Sequence, residues 1–166
     1  MTAHFHARLL RCVAAASLLS SAARTATAQT PDVGGTRPEL RLDLRPLDAV
    51  EAGVGFAVPT SLYLRVGALA SGGVVRDGDS TRPTARIEAF LRLPLDPLFE
   101  RRWAPYVSGG AALACTAERR CLPLLTLRIG LEGPRGSGGW TPAFEVGVGG
   151  GVRVAVVLRR ANGPGR

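Results

Sequence analysis

The residues able to do chemistry are few and unevenly placed. Both histidines, His4 and His6, and one of the three cysteines, Cys12, lie at the very start of the 166-residue chain. Beyond them no imidazole remains to act as a general base, so Ser–His and Cys–His catalysis has no candidate there. The other cysteines, Cys115 and Cys121, flank Thr-Ala-Glu-Arg-Arg. Two thiolates without a histidine are too few for a structural zinc site. Asp77-Gly78-Asp79-Ser80 starts like a calcium loop, but the later ligands and the closing glutamate are missing, and it reads as a solvated turn. What is left is a population of carboxylates and arginines. Such sets are more often structural than catalytic, because buried charges persist only when paired. No catalytic, cofactor-binding or metal-binding residue follows, and the expectation is a protein with no cofactor and no enzymatic activity.

The elements that position these residues begin after an address. Arg8 and Arg11 form a basic start, residues 12–23 an apolar stretch, and Ala26-Thr27-Ala28 a small-x-small cleavage pattern. The stretch is too short to cross a bilayer as a helix, which takes ~20 apolar residues. The expected organisation is a signal peptide over 1–28, a loose tail over 29–36, one domain over 37–160 and a short tail over 161–166. In an exported chain the even cysteine pair predicts a Cys115–Cys121 disulfide, contributing on the order of 2 kcal/mol by loop closure. The formal charge is +8 and every basic residue is arginine. Acids are interspersed with the arginines and no basic stripe forms, so a nucleic-acid partner is not expected.

The domain reads as all-β. Glycines and prolines punctuate it at short intervals, and between them run eight segments that alternate with period two. Glu39-Leu40-Arg41-Leu42-Asp43-Leu44-Arg45 is the clearest: leucines leave one face and charges the other, as strand geometry dictates. Similar runs start near residues 50, 62, 85, 107, 125, 144 and 152. No charge falls on the apolar parity in any run. The opposite parity carries Arg65, Arg86, Glu88, Arg128, Glu145 and Arg153, read as a charge network. Within it, Glu145 is expected to pair with Arg128 or Arg153, and Glu88 with Arg65 or Arg86. Tight turns are expected at 46–48, 59–61 and 149–151, a longer polar loop over 71–83, a glycine-rich loop over 132–139 and one helical turn within 95–102. Arg159-Arg160 reads as a charge pair at the membrane edge.

Alternation alone fits two architectures: a soluble barrel or sandwich with apolar residues inside, or a membrane barrel with those faces reversed. Glycine and alanine between the charges suit a crowded interior, and runs of about nine residues match a tilted membrane strand. Phe56, Tyr63, Phe99, Trp103, Tyr106 and Trp140 all fall at one end, and by parity Phe56, Trp103 and Trp140 face outward as an interfacial girdle. The expected fold is therefore an eight-stranded closed antiparallel up-and-down β-barrel of transmembrane type. Leu42, Val54, Leu64, Ile87, Leu127, Val146 and Val154 are expected to point away from its axis.

In signal, strand count, parity and size, residues 37–160 resemble the small eight-stranded outer-membrane barrels of the OmpA transmembrane domain and OmpX type. The resemblance implies a monomeric, non-enzymatic protein in the outer membrane of a Gram-negative bacterium. It would have a charge-plugged interior and a structural or surface role, with membrane lipids and the barrel-insertion machinery as partners. The family's last strand usually ends in an aromatic residue, whereas this one ends Val157-Leu158-Arg159-Arg160. The alternative is a soluble periplasmic barrel or sandwich binding an apolar ligand.

Overall fold

A computed structural model describes residues 35–46, 48–98, 102–117 and 121–160. The expected signal peptide, most of the N-terminal tail, the C-terminal tail and Phe99 lie outside the described residues. The strands are β1 (Arg37–Arg45), β2 (Ala49–Pro59), β3 (Arg65–Asp77), β4 (Ser80–Pro94), β5 (Ala104–Thr116), β6 (Cys121–Glu132), β7 (Trp140–Val148) and β8 (Val152–Arg160). Each pairs antiparallel with its neighbours in sequence, and β1 pairs with β8, so the sheet closes into a meander barrel without an edge.

Alternation sets the two faces. Leu42, Val54, Ile87, Leu127, Val146 and Val154 are all exposed on the outer wall, while the residues between them are largely buried in the lumen. Leu64 differs: it lies in the 60–64 loop, where its carbonyl accepts from Thr60 N–H at 2.9 Å and Ser61 N–H at 3.1 Å. That ring-like closure delays the start of β3 to Arg65, so the expected tight turn at 59–61 becomes a five-residue loop.

The expected polar loop over 71–83 is overturned. β3 and β4 continue through it in register from Ser71↔Arg86 to Asp77↔Ser80, leaving only residues 78–79 to turn. Gly72 and Gly73 are strand residues. At Gly73 a Cβ would come within 2.0 Å of the Val50 carbonyl, so glycine here permits a close strand approach. The turn itself uses Gly78 at φ +61°, the left-handed conformation a tight hairpin requires. Residues 95–98 bend and turn without helix, and the remainder of that expected helical turn includes positions outside the described residues.

The barrel has two unlike ends. At the end bearing the termini, loops 60–64, 95–103 and 133–139 connect the strands. At the far end the connections are shorter: 46–48, 78–79, 117–120 and 149–151. The 149–151 turn closes with Gly150 and Gly151 at positive φ.

Candidate functional site

The interior is the part of the molecule where chemistry-bearing side chains converge. Six carboxylates are buried there among the described residues: Glu39, Asp43, Glu51, Glu88, Glu132 and Glu145. Seven arginines are buried with them: Arg41, Arg65, Arg86, Arg92, Arg128, Arg153 and Arg159.

Glu145 is the hub, and register explains why. Tyr106 pairs with Gly130, and Gly130 pairs with Glu145. With no side chain on Gly130, the Tyr106 ring lies across it, and a Cβ there would sit 2.3 Å from the ring. The Tyr106 hydroxyl thereby donates to Glu145 Oε1 at 2.6 Å, beside Arg159 Nη2 at 2.9 Å. Glu145 Oε2 accepts from Arg41 Nη1 at 2.5 Å and Arg128 Nη1 at 3.4 Å. Four donors occupy the lone-pair directions of one carboxylate. Arg128 has room because it pairs with Gly147, where a Cβ would come 2.6 Å from its Cγ.

From this hub the network runs both ways. Toward the terminal end, Arg159 also reaches Glu39 at 3.0 Å and Glu132 at 2.9 Å. Glu39 takes both terminal nitrogens of Arg92, and Glu132 takes Arg65 at 3.1 Å and Arg37 at 3.4 Å. Toward the far end, Arg41 grips Asp43 through two nitrogens, and Arg153 joins Asp43 at 3.5 Å and Glu51 at 2.8 Å. Glu88 accepts from Arg86 at 3.1 Å and Thr126 Oγ1 at 2.9 Å, and pairs with Arg128. Arg86 also donates to the Gly149 carbonyl at 3.3 Å. Two aromatic rings face the arginines: Arg159 stands 4.6 Å from the Tyr106 centroid and Arg92 4.8 Å from that of Phe90. Buried charge in such a site is tolerable only with this density of pairing.

The structure thus brings Arg128 to Glu145, while Arg153 turns to Asp43 and Glu51. It places Arg86, not Arg65, against Glu88, and Arg65 against Glu132. Arg159 is not at a membrane edge: it is among the most deeply buried side chains, because its parity points into the lumen, and only Arg160 faces out. The expected network did not include Glu39, Arg41, Asp43, Glu51, Arg92, Tyr106, Glu132 or Arg159. Their shared inward parity was the available signal.

Of the expected girdle, Phe56 and Trp103 are exposed and Trp140 is half-buried at the terminal end. Cys115 and Cys121 face one another across β5 and β6 and are joined by a disulfide, with Cα atoms 4.1 Å apart. No group of acids, cysteines and histidines able to hold a metal occurs among the described residues.

No protein-family model matches the chain, and no curated protein matches it in sequence. Several solved structures are similar in fold. One, described as "De novo design of transmembrane beta-barrels", shares 16% identity with a TM-score of 0.55, covering 81% of this chain and 98% of that one. The solution structure of the de novo designed TMB2.3 shares 16% at a TM-score of 0.50, covering 79% and 96%. The N-terminal β-barrel domain of Pseudomonas aeruginosa OprF shares 13% at a TM-score of 0.50, covering 75% and 96%. With its closed eight-stranded meander and reversed polarity, this chain has the fold of the small transmembrane β-barrels.

Proposed function

We propose that the protein is a monomeric outer-membrane β-barrel of a Gram-negative bacterium, non-enzymatic, plugged by its interior ion pairs, with a structural or surface role. The observation that carries this reading is the outer wall. Leucine, valine or isoleucine lies exposed on every strand except β5, where Val107 and Leu113 are half-buried, and most strand charges point the other way. A belt of that size has no place on a soluble monomer and matches the lipid face of a barrel. A nine-residue strand such as β1 tilted by ~40° rises roughly 23 Å, close to the ~25 Å apolar band such proteins carry. Bilayer lipids are then the permanent partner, and the insertion machinery a transient one.

Two features support the plugged, non-catalytic part of the reading. Carboxylates and arginines from seven of the eight strands, joined by Tyr106 of β5, interlock across the lumen, so a solute path would have to break several buried pairs at once. Glu145, the carboxylate nearest the middle of the network, has its acceptor positions taken by arginines and Tyr106, leaving none for a substrate. A soluble carrier of apolar ligands calls for an apolar lumen, and this one is lined by charge.

Cell fractionation combined with unheated electrophoresis tests the proposal. The expected result is recovery with outer membranes, a shift in migration on boiling, and no stable conductance steps in planar bilayers. Recovery in the soluble periplasmic fraction without detergent would overturn the membrane assignment. Reproducible open-channel conductance would overturn the plug.

A further inference from the structure

The two ends of the barrel differ in a way that the plugged-barrel reading does not use. Of the outward-facing aromatics among the described residues, Phe56, Tyr63, Trp103 and Trp140 belong to the terminal end or the strand segments next to it, and Phe144 lies in the middle of β7. Leu62, Leu95 and Leu98 are exposed on its loops. Arg102, Arg135 and Arg160 are exposed on the same rim. Among the described residues, acids do not balance them. Glu39 and Glu132 are buried and already held by Arg92, Arg159, Arg65 and Arg37, which leaves half-buried Asp96 as the described rim's other acid. The far end is mixed in sign: Arg45 pairs with Asp48 at 3.3 Å, and Arg76 stands beside a turn that carries Asp79.

The terminal rim is also built rather than frayed. Trp103 packs over Gly133, so close that a Cβ there would come within 2.8 Å of the indole, and its ring centroid lies 6.1 Å from that of Phe144. The 95–103 and 133–139 loops are thereby tied to one another on the barrel wall. Arg160 sits over the Trp140 ring at 6.0 Å, placing a cation directly above an interfacial indole.

We infer that the terminal rim binds the anionic headgroups of glycerophospholipids, with Arg102, Arg135 and Arg160 on the phosphates and Trp103 and Trp140 in the headgroup layer. The chemistry is charge complementarity: each arginine near an anionic membrane surface attracts it, and its planar donors match phosphate oxygens. Aromatic and aliphatic loop residues hold the rim at the interface, where indole rings settle. The inference rests on the membrane reading proposed above and adds which leaflet chemistry this end selects.

Trp103 and Trp140 are the chain's two tryptophans, so its tryptophan fluorescence reports on this rim alone. A chain of residues 29–166 is folded into vesicles of phosphatidylcholine and phosphatidylglycerol, with a headgroup quencher carried on one lipid or the other at equal mole fraction. Quencher on phosphatidylglycerol is expected to act about twofold or more better than on phosphatidylcholine, because the rim concentrates the anionic lipid around the indoles. The preference should vanish in R102Q/R135Q/R160Q and persist in R76Q at the far end. Should the triple variant fail to fold, R135Q alone, in the glycine-rich loop, should show a partial loss. Equal quenching by the two lipids, or a preference undiminished in the rim variants, would overturn the inference while leaving membrane insertion standing. A chain quenched by neither lipid does not enter the bilayer, and then both readings fall together.

Discussion

The inner and outer walls of this barrel are made by the same eight strands, yet they are held by different physics. On the outer wall Leu42, Ile87, Leu127 and Val154 need only an apolar surrounding, which any neighbouring aliphatic group supplies. On the inner wall each charge has named partners at definite distances: Glu145 has Arg41, Arg128, Arg159 and Tyr106. Hydrophobic burial is non-directional, whereas a buried ion pair depends on geometry and leaves a penalty when half of it is removed. The outer wall should therefore tolerate exchange within its class, and the inner wall should not.

The largest effect that sharpens this contrast is expected from Glu145→Ala. It strands Arg41 and Arg128 beside an empty position and should lower barrel stability by ~3–5 kcal/mol. Asp79→Ala, in the exposed far-end turn, serves as the reference and should change little. Urea unfolding of both variants in the same vesicles makes the measurement. Indistinguishable midpoints would break the assignment of the lumen as the specific wall.

The next effect probes the outer wall. Val146 neighbours Glu145 in β7 but points outward and is half exposed. Val146→Arg places a charge on the lipid face and should cost ~2–4 kcal/mol if the site lies near the bilayer midplane. Val146→Leu should be nearly silent. A well-tolerated arginine there would argue that this wall faces water.

The smallest effect separates two glycines. Gly130 lies under the Tyr106 ring, so Gly130→Ala must push the ring and its hydroxyl away from Glu145, at about 1–3 kcal/mol. Gly72 faces outward, and a Cβ there would meet only the Thr84 carbonyl, at 3.8 Å. Gly72→Ala should shift stability by less than about 0.5 kcal/mol, as exposed substitutions usually do. Thermal or urea midpoints of the pair decide whether the lumen is as closely packed as its distances indicate.

Much of the fold was legible because one local rule governs it. A period of two sends successive side chains to opposite faces, so parity alone sorted aliphatic from charged positions in every run. The rule failed where a glycine-rich stretch looked like a loop. Gly72 and Gly73 carry no side chain to display the alternation, yet they sit in β3, where Gly73 lets the backbone approach Val50 closely. It was also overridden by composition at Arg159-Arg160, where two adjacent arginines looked like one surface feature. Parity in fact sends Arg159 inward and Arg160 outward.

The sequence by itself determined which side of the wall each residue occupies, because that choice depends only on backbone pleat and on the separation of apolar from charged side chains along each strand. It also placed Cys115 and Cys121 close enough along the chain to pair across a single hairpin. The partner of each interior charge was decided only by the closed barrel. Glu145 meets Arg41, at a separation of 104 residues, because β1 closes against β8 and brings the two across the lumen. Neighbouring strands in a hairpin have a register that the turn sets, but side chains reaching across a lumen meet according to how the whole sheet is staggered when it closes. That stagger is a property of all eight strands together, and no single stretch of the chain contains it.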